Sequence, residues 1–384
     1  MSDNMIHTDP ELDEEVVEVE EIDASLGLME KPFDPTKINI ETKTPSLDTL
    51  IKRIQHKSIE MNTENYFQRQ DDLWDIEKQS RLIESILIRF PLPAFFFDAS
   101  DDNKWLVVDG LQRLSSIRNF CVVKDPKKQL KLTNLEFLTH LNGKTYDDLS
   151  HDLQRIIEES QVVIYKIMPG TPTDVKFNIF KRINTGGLVL EPQEIRHALF
   201  QGRPATFIAE LGKNQEFLNA TNWKIKTHRM LDRDFANRFL GFYLYDYKSY
   251  TPDLDTFMSK AMASINDLTE NELQTIKNDF SKSMKLAHTI FKNEAFRKIY
   301  TDKPRLPPIN KALFDAIATQ FALLSDEERA LLKAKGRVFK KELKQKLAHD
   351  PEFFTSLSSS TGDRNRVIKR HSTIEELIQH VIHN

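Results

Sequence analysis

Asp109, Gly110, Gln112 and Arg113 have the residue types and spacing that could do chemistry. They close the run Val107-Val108-Asp109-Gly110-Leu111-Gln112-Arg113, in which a buried strand ends in a carboxylate, a glycine permits a sharp turn, and a helix begins. Free backbone N–H groups at a helix start, beside a glycine that admits a ligand closely, suit an anion such as phosphate. Arg113 has the fork geometry for a bidentate pair with that phosphate. Asp109 is a candidate to bind Mg²⁺ or to orient a water. A ligand-free reading satisfies the same spacing: Asp109 as N-cap with Gln112 three residues on makes a capping box.

A second polar constellation runs from Phe180 through Arg182, Asn184, Gly186 and Gly187 to Gln193 and Arg196. The chain has only eleven glycines, so two in succession mark a tight helix-to-helix turn. If Arg182, Asn184, Gln193 and Arg196 converge there, they form a second wall for an anion or a base. The alternative is a glycine helix cap with a surface ion pair at Glu194. Lys340, Lys341 and Lys344, with Arg364 and Arg366, form basic clusters able to hold a DNA backbone without reading its sequence, or else ordinary solvated helix faces. Asn142-Gly143-Lys144-Thr145 imitates the end of a phosphate-binding loop but lacks its first glycine, position 138 being Leu, and a preceding strand. His380 and His383 have no third ligand nearby and are read as solvent-facing.

The elements that must position these groups follow from pattern. Apolar stripes (Leu47, Leu50, Ile51, Ile54 and Leu82, Ile83, Ile86, Leu87) predict helix between Thr44 and Phe90, stopped by Pro91 and Pro93. Ala94–Phe97 and Trp105–Val108 read as a hairpin, followed by a helix over 111–120, a strand over 161–167 and a helix over 173–184. Beyond Gly202 there is almost no strand signal, and helical patterns run over 229–247, 270–296, 307–324, 327–334, 337–347 and 373–383. The fold class expected is therefore α+β, with domains at 34–201 (α+β) and 202–384 (all-α), preceded by an acidic arm at 1–33 read as disordered. Residues 1–30 hold eleven acids and no Lys or Arg; the other residues carry 54 basic against 47 acidic side chains, net +7, within an overall charge of −4. The arm reads as a solubilising tail or as a competitor of nucleic acid for the basic body. The single cysteine, Cys121, excludes a disulfide scaffold, and no apolar stretch is long enough for a membrane helix; with no secretory signal pattern, a cytoplasmic location is expected.

Phe67-Gln68-Arg69 with Trp74, Gln79-Ser80-Arg81-Leu82-Ile83-Glu84-Ser85-Ile86-Leu87, Pro91-Leu92-Pro93, Val108 to Leu114, and Phe180 to Arg196 resemble, in order, the N-terminal domain of GmrSD-type restriction endonucleases. Arg229-Met230-Leu231-Asp232 to Phe239 extends the resemblance into the helical half. It implies a ParB/sulfiredoxin-like fold with a small mixed sheet, in prokaryotic defence against phage or foreign DNA. It further implies nucleoside triphosphate binding and hydrolysis with Mg²⁺, through Asp109, Gly110, Gln112 and Arg113, with Gln68 and Arg69 adding to the nucleotide site. There are two departures. Position 111 is Leu where the family usually has Gln, and residues 202–384 lack an HNH nuclease signature, so a separate HNH-type nuclease subunit is the implied partner. The competing function is a ParB-like DNA-binding or adaptor protein in which the Asp-Gly-Leu-Gln-Arg run is structural.

Overall fold

The computed structural model describes residues 16–18, 34–61, 74–183, 191–299 and 306–384. The chain forms two compact units, Phe33–Leu199 and Phe200–Asn384 with Met1–Pro32. The first is α+β and the second helical, as the sequence pattern predicts.

The α+β unit is built on a five-stranded mixed sheet in the order β1-β5-β3-β4-β2, comprising β1 (Ile40–Lys43), β2 (Ile59–Glu60), β3 (Phe95–Asp98), β4 (Trp105–Asp109) and β5 (Ile164–Ile167). β3 and β4 are the expected antiparallel hairpin; β5 runs parallel to β3, and β1 antiparallel to β5. The β5 strand is shorter than the predicted 161–167. Alternation along these strands sends side chains to two faces. On one face Phe95, Phe97, Trp105 and Ile164 pack against α1 (Leu47–Gln55), α2 (Ile76–Leu87), α3 (Leu111–Ile117) and α4 (His151–Glu159). On the other, Phe96, Leu106, Val108 and Ile167 pack against α5 (Thr173–Ile183) and α6 (Pro192–Leu199). Among the described residues the two apolar stripes predicted between 44 and 90 are α1 and α2, and the short β2, which follows α1, was not expected.

Loops on this unit are pinned by buried polar side chains. Glu84, on α2, is buried and accepts hydrogen bonds from the backbone N–H groups of Glu136 (3.0 Å), Phe137 (2.8 Å) and Leu138 (2.7 Å). One turn earlier, Ser80 Oγ accepts from the Thr133 N–H at 3.1 Å. Burial alone would raise the Glu84 carboxyl, but the three N–H donors outweigh it and hold its pKa below the ordinary value.

The second unit contains α7 (Arg203–Gly212), α8 (Gln215–Ala220), α9 (Leu231–Leu244), α10 (Leu254–Ser264), α11 (Glu270–Phe291), α12 (Lys311–Ala322), α13 (Asp326–Ala334), α14 (Gly336–His349), α15 (Pro351–Ser358) and α16 (Arg364–His383). At its centre Asp315 of α12, fully buried, receives Arg238 of α9 through two hydrogen bonds of 2.8 and 2.7 Å and Arg370 of α16 at 3.2 Å. Two guanidiniums thus share one buried carboxylate, which ties three helices together. Most of the acidic arm lies outside the described residues. Val16–Glu18 are described, and the expectation of disorder does not hold for them: they sit on the helical unit, where Val17 pairs with Ile309. No helix among the described residues is long and apolar enough to cross a membrane.

Glu84→Ala leaves three buried N–H groups without an acceptor and is expected to cost about 3 kcal/mol in urea unfolding, whereas Glu84→Gln, which keeps an acceptor, should cost less. Because the folded pKa lies below the unfolded value near ~4.3, the Glu84 contribution should be complete above that pH and fade as pH falls through the folded value. A loss for Glu84→Ala below about 1 kcal/mol would contradict this assignment.

Candidate functional site

At one edge of the sheet β4 ends while β3 and β5 begin, and Asp109 is the last residue of β4. Gly110 turns the chain into α3 with φ +98°, a left-handed conformation, and a Cβ there would stand 2.5 Å from Cδ1 of buried Phe95. Only glycine meets both conditions. The expected capping box is not formed: Gly110 is the N-cap of α3, and Asp109 pairs instead with Arg113. Leu111 packs against the core on the α1–α4 face.

Arg113 is 8 % exposed. Its Nη2 donates to Asp109 Oδ2 at 2.7 Å and to the Ala94 carbonyl at 3.1 Å, its Nη1 donates to the Pro93 carbonyl, and its guanidinium lies over the Phe95 ring. Burial lowers its pKa and the adjacent Asp109 carboxylate opposes that shift. This corrects the expectation of an open, phosphate-pairing guanidinium. Arg113 instead fixes one oxygen of Asp109 and closes the start of β3. The Asp109 side chain itself is 36 % exposed, and among the described residues Arg113 is its one hydrogen-bond partner.

One further segment arrives at the same edge. Gln112 Oε1 accepts from the Trp74 N–H at 3.1 Å, and Gln79 Nε2 donates to the Trp74 carbonyl at 2.6 Å. Gln79 Oε1 in turn accepts from Asn119 Nδ2 at 3.0 Å. Trp74 is therefore held at both backbone groups beside the start of α3. Gln112 acts here as a positioning residue. Gln68 and Arg69 lie outside the described residues. On the other face, α5 is anchored near its start by Lys176, whose Nζ donates to Asp98 Oδ2 at 2.8 Å at the far end of β3. α5 packs on the second face of the sheet, where Phe177, Phe180 and Ile183 share a cluster with Val108 of β4. Arg182, in the last turn of α5, is exposed; Asn184, Gly186 and Gly187 lie outside the described residues.

Gln193 and Arg196 do not form an open wall. Both are about 1 % exposed; Arg196 Nε donates to Gln193 Oε1 at 2.8 Å and its guanidinium covers Phe177. Glu194 is likewise buried, not at the surface as expected, and accepts from the Glu191 N–H at 2.7 Å. Sequence reasoning gave Gln79 and Trp74 no task and did not single out Asn119. The first two stand within the quoted motifs, which was the available signal.

Several residues expected to grip DNA are engaged within the helical unit. Lys340 Nζ pairs with Glu294 at 2.7 Å, Arg364 Nη2 donates to the Lys248 carbonyl at 3.2 Å, and Arg366 Nη1 donates to Ser359 Oγ at 2.7 Å. Lys341 is exposed and Lys344 half-buried. His380 and His383 are exposed, as expected. Burial pushes the Cys121 thiol up to about 12, which removes it as a nucleophile at neutral pH. Among the described residues no group of three His, Cys, Asp or Glu side chains could hold a metal unaided.

Residues 47–201 match the family model of the GmrSD restriction endonuclease, N-terminal domain. No curated protein and no solved structure matches the chain.

Gly110→Ala combines left-handed strain with a clash against Phe95 and is expected to destabilise the chain by about 2–4 kcal/mol in denaturant unfolding. Gly143→Ala, at φ +83° with open space around its Cβ position, should cost only about 1–2 kcal/mol. Equal costs would show that the contact with Phe95 is not what requires glycine at 110.

Proposed function

Because residues 47–201 are a GmrSD restriction endonuclease N-terminal domain, we propose that the chain is a component of a restriction or phage-defence system that binds and hydrolyses a nucleoside triphosphate at the Asp109 edge and acts on DNA together with a separate nuclease. The pairing of Trp74 with the start of α3, beside the partly exposed Asp109 carboxylate at the end of β4, carries this reading. The first-turn N–H groups of α3 supply donors for phosphate oxygens. Asp109, one oxygen held by Arg113, presents the rest of its carboxylate outward, where it orients an attacking water or meets a metal.

Mg²⁺ characteristically binds through one or two carboxylates plus substrate phosphates, not in an all-protein cage. A single fixed carboxylate at an open edge, with no three-ligand cluster among the described residues, fits an ion that arrives with the nucleotide. When bound, it would neutralise phosphate charge; Asp109 would be its protein ligand. Arg113 and Gln112 serve the site by position: Arg113 fixes the carboxylate, and Gln112 holds Trp74. Arg182, exposed in the last turn of α5, is the further basic residue assigned to the phosphate in this reading.

The nuclease is assigned to a partner because, among the described residues, the second unit contains helices and isolated bridges, with no ββα arrangement and no metal-binding cluster. The DNA-adaptor alternative is less well supported, since Lys340, Arg364 and Arg366 are tied to groups of their own unit.

Phosphate release from GTP, UTP and ATP with Mg²⁺ tests the assignment. Wild type is expected to turn over at least one of them, and Asp109→Asn, checked for folding by circular dichroism, to lose roughly 10²-fold or more in kcat. Equal rates in two folded proteins, or no binding of any of the three nucleotides by wild type, would overturn it.

A further inference from the structure

The described part of the acidic arm occupies a built seat on the helical unit. Ile309 N–H donates to the Val16 carbonyl at 3.0 Å and Glu18 N–H donates to the Ile309 carbonyl at 2.9 Å, so Val17 lies as a parallel strand beside Ile309. Ile309 also bridges Arg297 in the antiparallel sense, which makes a miniature three-strand ladder in a helical unit. The Glu18 carboxylate accepts from Lys298 Nζ and, at 3.0 Å, from Asn310 Nδ2.

The receiving groups are rigidly held. Asn310 is the N-cap of α12, its Oδ1 accepting from Leu313 N–H at 2.7 Å, and its Nδ2 also donates to the Leu357 carbonyl at 2.7 Å. Lys298 is 8 % exposed, donates to Ser358 Oγ at 2.8 Å at the end of α15, and lies over the Phe354 ring. Among the described residues its carboxylate partner is Glu18, 280 positions away in sequence. A buried ammonium without a counter-charge is strongly disfavoured, so the seat requires an acid. The resident strand, in contrast, is held lightly: Val16, Val17 and Glu18 are only half-buried and contribute two backbone hydrogen bonds and one carboxylate. A contact of that size is sustained by the attachment of the segment to the same chain, which raises its effective concentration at the seat.

We propose that the Ile309 edge with Lys298 and Asn310 is a docking site for an extended acidic strand, that Val16–Glu18 is its occupant in cis, and that a partner protein engages it by strand addition with a segment of the same chemistry, an aliphatic residue followed by a carboxylate. Main-chain pairing to Ile309 supplies affinity, and the buried Lys298 supplies selectivity for acid. This assignment is independent of the nucleotide site.

The test uses the full chain and a fluorescein-labelled peptide with the sequence of residues 11–23, read by anisotropy. Glu18→Lys places like charge against Lys298 and frees the seat; this variant is expected to bind the peptide at least tenfold more tightly than wild type. Adding Lys298→Ala should abolish that gain, and a peptide carrying Lys at the position of Glu18 should not bind. If Glu18→Lys fails to fold by circular dichroism, Glu18→Gln, which removes the charge at constant size, serves in its place. Equal peptide affinity for wild type and variant, or no binding by a folded variant, would overturn the proposal. So would a concentration-dependent wild-type dimer that Glu18→Lys dissolves, since the arm would then sit on a second copy.

Discussion

The buried guanidinium of Arg113 is the constraint on which the Asp109 edge depends. Its charge, removed from water, needs a carboxylate and hydrogen-bond acceptors close by, and the chain provides Asp109 and the carbonyls of Pro93 and Ala94. Meeting that need fixes the end of β4 relative to the start of β3, holds one Asp109 oxygen in place, and sets the guanidinium on Phe95. With Phe95 there, the turn between strand and helix has no room for a Cβ. The conformation of Gly110 and the entry of α3 follow from the same packing.

A second layer of polar contacts extends this order outward. Gln112 and Gln79 hold both backbone groups of Trp74, and Lys176 with Asp98 fixes the start of α5 at the opposite end of the sheet. The result is an edge where Trp74, from a stretch distant in sequence, lies beside the start of α3 and an accessible carboxylate. In the helical unit charge is also placed for assembly: Asp315 gathers two arginines in the core, and Lys298 draws Glu18 of the acidic arm onto the Ile309 strand. The uneven charge of the chain is therefore part of its architecture at that point.

Much of the fold was legible from local pattern. The aromatic and β-branched runs at 95–97 and 105–108 gave the hairpin, and the periodic patterns gave α1, α2 and, in the second unit, α9, α11, α12, α13, α14 and the C-terminal half of α16, while α7, α8, α10 and α15 were not singled out. β1 and β2 were not visible: Ile40–Lys43 has two exposed polar positions at a sheet edge, and β2 is only two residues long. In the site, the Asp109–Gly110 turn was readable because a glycine after a buried run has a local meaning. The inward direction of Arg113 was not, because its acceptors at Pro93 and Ala94 lie 20 and 19 residues away. Arg196 misled in the same way, its charge directed onto Phe177 and Gln193 within the core, and the link between Glu18 and Lys298 spans 280 positions.

The most direct test of a single nucleotide site at this edge is hydrogen–deuterium exchange of the wild-type chain with and without Mg²⁺ and a saturating nucleoside triphosphate. Joint protection of the backbone at Trp74, Gly110–Leu114 and Arg182–Ile183, with no change across α12, is the predicted result. Protection confined to the helical unit, or unchanged exchange at Gly110–Leu114 while the nucleotide is bound, would contradict the account.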